Sequence, residues 1–146
     1  MFLVPSTPCE VEVRVVGVFE ELLQSGDREQ RVSLIVLRDP AERELRLPVG
    51  SCEGFAIHIA LERQLAPRPL THDLALRLVE KLSAKLDRVV IHRLSNDTPH
   101  ATMHLQTAGG ALALDVGPGD AVAVALRAEA PIYVTEDLLE IDADIP

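Results

Sequence analysis

The chain has 146 residues, enough for one domain with its own core, since a chain of this size can bury about 70% of the surface it would expose unfolded. Its formal charge of -9 argues against an open, sequence-independent grip on nucleic acid, which works by neutralising phosphates with Lys and Arg. Val, Leu, Ile and Ala dominate the apolar residues, with no Trp, one Tyr and three Phe, so the core must be aliphatic.

Residues 1–10 read as an N-terminal extension. They carry no basic segment and are broken by Pro5 and Pro8, which is not the pattern of a signal peptide. No apolar run approaches the roughly 20 residues of a membrane span, so no membrane partner is expected. Cys9 and Cys52 are too few for a disulfide framework and read as free thiols, which makes the cytoplasm the expected location.

Val11, Val13 and Val15 alternate with charged residues as a first strand, and after a slip Val16 and Val18 continue it. The polar stretch 20–31, with Gly26-Asp27, reads as a loop or turn. A continuous apolar run over 32–37 has strand length, 38–44 has turn chemistry, and Leu45-Arg46-Leu47 resumes the alternation, so the pair predicts a hairpin. A helix follows from 52 to about 64, with Ser51 as its N-cap and Glu53 in its first turn, and Pro67 and Pro69 end it. The next helix starts at Thr71 as N-cap. Leu74, Leu78 and Leu82 form its apolar stripe, and Arg77, Lys81, Lys85 and Arg88 give it a cationic side and end.

From Val89 the pattern repeats: strands over 89–94, 101–106 and 111–116, then Gly117-Pro118-Gly119-Asp120 opening a helix to about 128. Residues 45–53 lie over 112–120 without a gap, and the register continues from Phe55-Ala56-Ile57 onto Val122-Ala123-Val124. A short strand over 131–134 and an acidic end from Glu136 complete the chain. The expected architecture is therefore α+β: a mainly antiparallel sheet with two hairpin-then-helix repeats and an intervening helix. The domain runs over 11–139, and 140–146 forms an acidic tail. Such a sheet leaves edge strands to cover, so a twofold homodimer is expected.

Thr71-His72-Asp73 joins an imidazole and a carboxylate at a helix start. One reading makes His72 and Asp73 ligands of Mg²⁺ or Mn²⁺, or a general base and its orienter. The other is a capped helix with an exposed His72. Glu53 and Asp120 hold equivalent points of the two repeats, so their carboxylates converge if the units pack about a pseudo-twofold axis; otherwise each is a first-turn acid favoured by its helix dipole. Asp115 is a weaker third acid. His58, His92, His100 and His104 lack a metal-ligand spacing, and no His is placed by sequence to serve Cys52 as a nucleophile.

Four ordered segments carry a resemblance: Leu-Pro-Val-Gly-x-x-Glu at 47–53, Arg-Pro-Leu-Thr-His-Asp-Leu at 68–74, Asp-Ala-x-Ala-x-Ala-Leu at 120–126, and Ala-Pro-Ile-Tyr-Val at 130–134. Together, over about 11–139, the chain resembles the bifunctional nuclease domain family. The resemblance implies an α+β fold, homo-oligomeric association and, as in some plant members, a nuclease acting on RNA and DNA. On that reading Glu53, His72, Asp73 and Asp120 form a metal-assisted site for phosphodiester hydrolysis. The alternative is a non-catalytic oligomeric domain that binds a protein or a small ligand. The chain has Gly117-Pro118-Gly119-Asp120-Ala121 where the family usually has Arg-Pro-Ser-Asp-Ala, and Gly54 where it usually has Ala. The missing arginine removes a bidentate phosphate donor.

Overall fold

A computed structural model describes residues 9–96 and 98–139 of the chain. The alternating valines begin strand β1 (Glu10–Ser25), which pairs antiparallel with β2 (Arg28–Arg38) down to Ser25 opposite Arg28. Gly26 turns the chain there at φ 65°, a left-handed value that glycine adopts without a Cβ penalty. The stretch 20–31, expected as a loop, is thus the outer half of a long hairpin. Leu22 and Leu23 apart, its residues are polar, all are exposed, and the ladder of backbone hydrogen bonds needs no apolar alternation. The slip in the valine pattern is a register shift between Val15 and Gly17.

Strand β3 (Glu44–Val49) pairs antiparallel with β2 and leads through Gly50 into helix α1 (Ser51–Leu61). The turn before β3 is held by Asp39, which is 3% exposed and accepts from the Arg43 N–H and from Arg43 Nε, both at 2.8 Å. Arg43 Nη1 then donates to Glu136 at 2.9 Å, which ties this turn to the C-terminal end of the domain. Helix α2 (Thr71–Lys81) follows, then β4 (Lys85–Arg93), β5 (Pro99–Thr107) and β6 (Gly110–Val116). Gly117 leads into α3 (Pro118–Ala128), and β7 (Ile132–Thr135) closes the order. Each of the two aligned segments therefore passes from a strand, across a glycine, into an 11-residue helix.

Among the described residues these strands form one mixed sheet of seven in the order β3-β2-β1-β7-β4-β5-β6. It is mostly antiparallel, but β7 runs parallel to β4 while lying antiparallel to β1. The parallel pair exists because α3 carries the chain back across the sheet between β6 and β7. Helix α3 packs against both other helices and over β4 and β5, while α1 contacts β1 and β2. The core under them is aliphatic, as composition required: Ile35, Leu37, Ile57, Val89, Ile91, Val122 and Val134 are fully buried.

Two details differ from the sequence reading. The N-caps of α1 and α2 are Gly50 and Leu70, both extended, so Ser51 and Thr71 are first helical residues. Leu70 needs no polar side chain of its own, because the Asp73 carboxylate reaches back to its N–H at 2.9 Å. The leucine stripe of α2 faces outward: Leu74, Leu78 and Leu82 are each more than half exposed, while Ala75, Leu76 and Val79 pack on the core. No described helix is long and apolar enough to cross a membrane.

Candidate functional site

Three helices begin with an acid in the first turn: Glu53 in α1, Asp73 in α2 and Asp120 in α3. A carboxylate there interacts favourably with the positive end of the helix dipole. Their surroundings then separate them. Because the start of α2 lies against α3, His72 Nε2 meets Asp120 Oδ1 at 2.8 Å. The His72 side chain is 12% exposed and that of Asp120 is 49% exposed, so solvent approaches the pair from the Asp120 side. His72 Nδ1 has no hydrogen bond, yet it is not among the buried unpartnered polar atoms. It therefore reaches solvent. With Nε2–H donated to Asp120, Nδ1 carries the free lone pair, which makes it the basic nitrogen of the ring.

Asp73 adjoins His72 in sequence but turns to other partners. Its Oδ1 accepts from Arg127 Nε at 2.7 Å, while Oδ2 holds the Leu70 N–H. Partial burial would raise its pKa, but the Leu70 N–H, the Arg127 hydrogen bond and charge, and the charge of Arg77 together hold it below the ordinary aspartate value. Arg127 is 8% exposed on its side chain and also donates Nη1 to the Ala123 carbonyl at 2.9 Å. Sequence reading missed Arg127. Its signal was faint: a cation seven residues after Asp120 lies two turns along the same helix face.

Glu53 neighbours the pair through its stem. A Cβ added to Gly119 would lie 3.0 Å from both Glu53 Cβ and Val49 Cγ1, so α1 and the start of α3 touch where glycine leaves room. The carboxylate of Glu53 curls back over Gly50. The missing family serine thus has a structural counterpart in this close approach. Gly119→Ser should cost about 1–3 kcal/mol of stability by overpacking, read as a lower urea midpoint at unchanged slope. An unchanged midpoint would mean that the helices separate freely. Gly54 is equally constrained, because a Cβ there would lie 2.9 Å from Ser33 Cβ on β2.

Among the described residues, no group of three or more His, Cys, Asp or Glu side chains could hold a metal ion. His72 Nε2 and Asp120 Oδ1 are bonded to each other, and the Arg127 guanidinium on Asp73 would repel a cation. Asp115 is exposed on β6 and 3.5 Å from His100 Nδ1, away from this pair. His92 Nε2 bonds Thr102 Oγ1 at 3.0 Å within the sheet. Cys9 and Cys52 are exposed free thiols.

Two clefts open beside the helices, and neither is lined by Glu53, His72 or Asp120. The larger, about 780 Å³, is lined by β1 residues and the ends of α1 and α3, and it contains none of the four candidate residues. The second, about 550 Å³, lies between the 62–70 loop and α2 and includes Asp73 and Arg127.

Comparison with known proteins agrees with the motif order. Two uncharacterized proteins from strains of Mycobacterium tuberculosis are each 35% identical to the chain over 129 residues, which covers 88% of this chain and 73% of theirs. The model of the bifunctional nuclease domain matches residues 35–144, and with these motifs in place on α1, α2, α3 and β7 the chain belongs to the bifunctional nuclease domain family.

Proposed function

We propose that the domain hydrolyses phosphodiester bonds of RNA or DNA, with His72 as the proton acceptor and Asp120 as the group that orients it. The observation that carries this reading is the 2.8 Å bond between His72 and Asp120 with Nδ1 left open to solvent. A water or hydroxyl attacking phosphorus must lose a proton as the new P–O bond forms, and an oriented neutral imidazole is suited to take it. The P–O bond to the leaving group breaks, and the departing oxygen regains a proton. Asp73 serves as a positioning residue: it fixes the start of α2 and holds Arg127 in place. Family membership supports nuclease-like chemistry for this arrangement.

A divalent ion, Mg²⁺ or Mn²⁺, is the other way to supply positive charge at the phosphate. Holding it with Glu53, His72 and Asp120 would require the His72–Asp120 bond to open and Glu53 to leave Gly50. The test is one assay. Purified protein is incubated with single-stranded RNA and with single-stranded DNA, with Mg²⁺, Mn²⁺ or chelator, alongside His72→Ala. Cleavage lost on His72→Ala and retained in chelator supports the imidazole reading. Cleavage lost in chelator replaces it with a metal-assisted one, and parent protein inactive in every condition overturns both in favour of a non-catalytic binding domain.

We also propose that the domain works as a homodimer in the cytoplasm. Edge strand β6 leaves Leu112 and Leu114 exposed on the sheet face they share with their register partners Leu105 and Met103. Those partners belong to the helix-covered core, and on the same side α2 exposes its leucine stripe. Exposed apolar surface gathered on one side of a domain marks an interaction site when it is extensive. Free thiols suit a reducing compartment. Sedimentation at micromolar concentration should give a dimer, and Leu78→Glu with Leu114→Glu should give a monomer. A parent protein that sediments as a monomer would overturn this. The matching order of the two strand-glycine-helix segments further supports their origin as copies of one unit.

A further inference from the structure

In a chain with 14 Lys and Arg against 23 Asp and Glu, one cleft gathers four arginines. Arg63 stands at the end of α1, Arg68 in the following loop, Arg77 on α2 and Arg127 on α3, and the only acids among the lining residues are Asp73 and Glu80. Asp73 is already neutralised by Arg127. The side chains of Arg63, Arg68 and Arg77 have no hydrogen bond or ion pair with any described residue, although the charge of Arg77 acts on Asp73. Arg127 Nη2 also lacks a partner and is not among the buried unpartnered atoms, so it too reaches solvent.

Arg63, Arg68 and Arg77 are exposed, so holding them together costs little, and their concentration in one cleft attracts anions against the sign of the whole surface. Guanidinium groups suit phosphate oxygens, which they can grip with paired donors. The cleft volume, about 550 Å³, falls within the range of small-ligand sites. Leu65, Pro67 and Leu76 add apolar wall for a sugar or base. Along α3, Asp120 and Arg127 are seven residues apart, or about 10 Å, so a strand held in the cleft comes within a nucleotide or two of His72.

We propose that this cleft binds the phosphates of a single-stranded nucleic acid segment and presents the neighbouring phosphodiester to the His72–Asp120 pair. The choice of nucleic acid rests on the nuclease reading; the binding of phosphates rests on the arginines. It also answers the objection from net charge, because a short cationic cleft grips a short segment without a basic surface. The footprint is then small, and binding falls with salt only in proportion to the few phosphates engaged.

The test measures binding of a short fluorescein-labelled single-stranded oligonucleotide to the full chain by anisotropy, across a salt series. The triple change Arg63→Gln, Arg68→Gln and Arg77→Gln should weaken binding about a hundredfold at low salt and flatten the log–log salt slope by about two units. Arg→Lys at the same three positions should keep most of the slope. Arg68→Gln alone, in a loop and without a partner to lose, serves as the check on folding, with a loss of about tenfold. Arg28→Gln, at the exposed start of β2 and outside the cleft, should bind as the parent does. If His72→Ala cleaves normally, the role given to His72 fails while the cleft stands, and a parent that binds the oligonucleotide but cleaves nothing overturns the nuclease reading alone. Unchanged affinity and salt slope in the arginine variants, or no binding by the parent at low salt, would overturn the cleft assignment.

Discussion

Replacing His72 with alanine is expected to lower phosphodiester cleavage by about two to four orders of magnitude, the usual contribution of a positioned acid–base group. Stability should fall by only about 1–2 kcal/mol, because the mostly buried ring loses its packing and one hydrogen bond while the half-exposed Asp120 can turn to water once its partner is gone. The sharper probe is Asp120→Asn. An amide keeps the shape of the carboxylate but can aim its NH₂ at Nε2, which favours the tautomer carrying hydrogen on Nδ1. The nitrogen that reaches solvent then loses its lone pair, and the rate should fall to a similar degree. Asp120→Glu, which keeps the charge on a longer arm, should recover part of it. A parent rate in Asp120→Asn would show that the contact is only a helix-start hydrogen bond.

The largest expected effect on stability comes from Asp73. Removing its carboxylate in Asp73→Ala strips the partner from Arg127, whose guanidinium side chain is nearly buried, and releases the Leu70 N–H at the start of α2. Breaking a buried pair from one side leaves an uncompensated charge. Asp73 keeps about a third of its side chain in water, so the cost should be about 2–3 kcal/mol, below that of a fully buried pair. The double change Asp73→Leu with Arg127→Met should cost less than the sum of the single changes, because no lone charge remains. Urea melts of the parent, Asp73→Leu, Arg127→Met and the double variant close the cycle, and strictly additive costs would show that the two side chains are not coupled.

The pH dependence has a definite sign. Asp73 has a folded pKa below its unfolded one, so its stabilisation is full above the ordinary aspartate value near about 4 and is lost as pH falls through the lowered folded value. The deficit of Asp73→Ala should therefore be largest near neutrality and shrink in acid. Asp39 and Glu44, held low by Arg43 and Arg38 against their own desolvation, add to the parent's loss of stability over the same acid range.

Much of the fold was legible because local chemistry and tertiary structure agree there. The valine alternation, its slip at Val16, the glycine before each of α1 and α3, and the prolines after α1 each act within a few residues. The aliphatic core followed from composition, and family membership from four motifs in order. The outer half of the β1–β2 hairpin was not legible, since a strand exposed on both faces carries no hydrophobic period to read. Nor was the outward stripe of α2: Leu74, Leu78 and Leu82 have the right spacing for a buried face, and only the position of α3 decides that Ala75, Leu76 and Val79 are the side that packs. The four candidate residues were picked out by sequence as helix-start acids and an imidazole. How α2 lies against α3 decided their partners, giving His72 to Asp120 and Asp73 to Arg127. It also decided that arginines scattered from 63 to 127 line one cleft, because residues so far apart in the chain are joined only by the packing of three helices on one sheet.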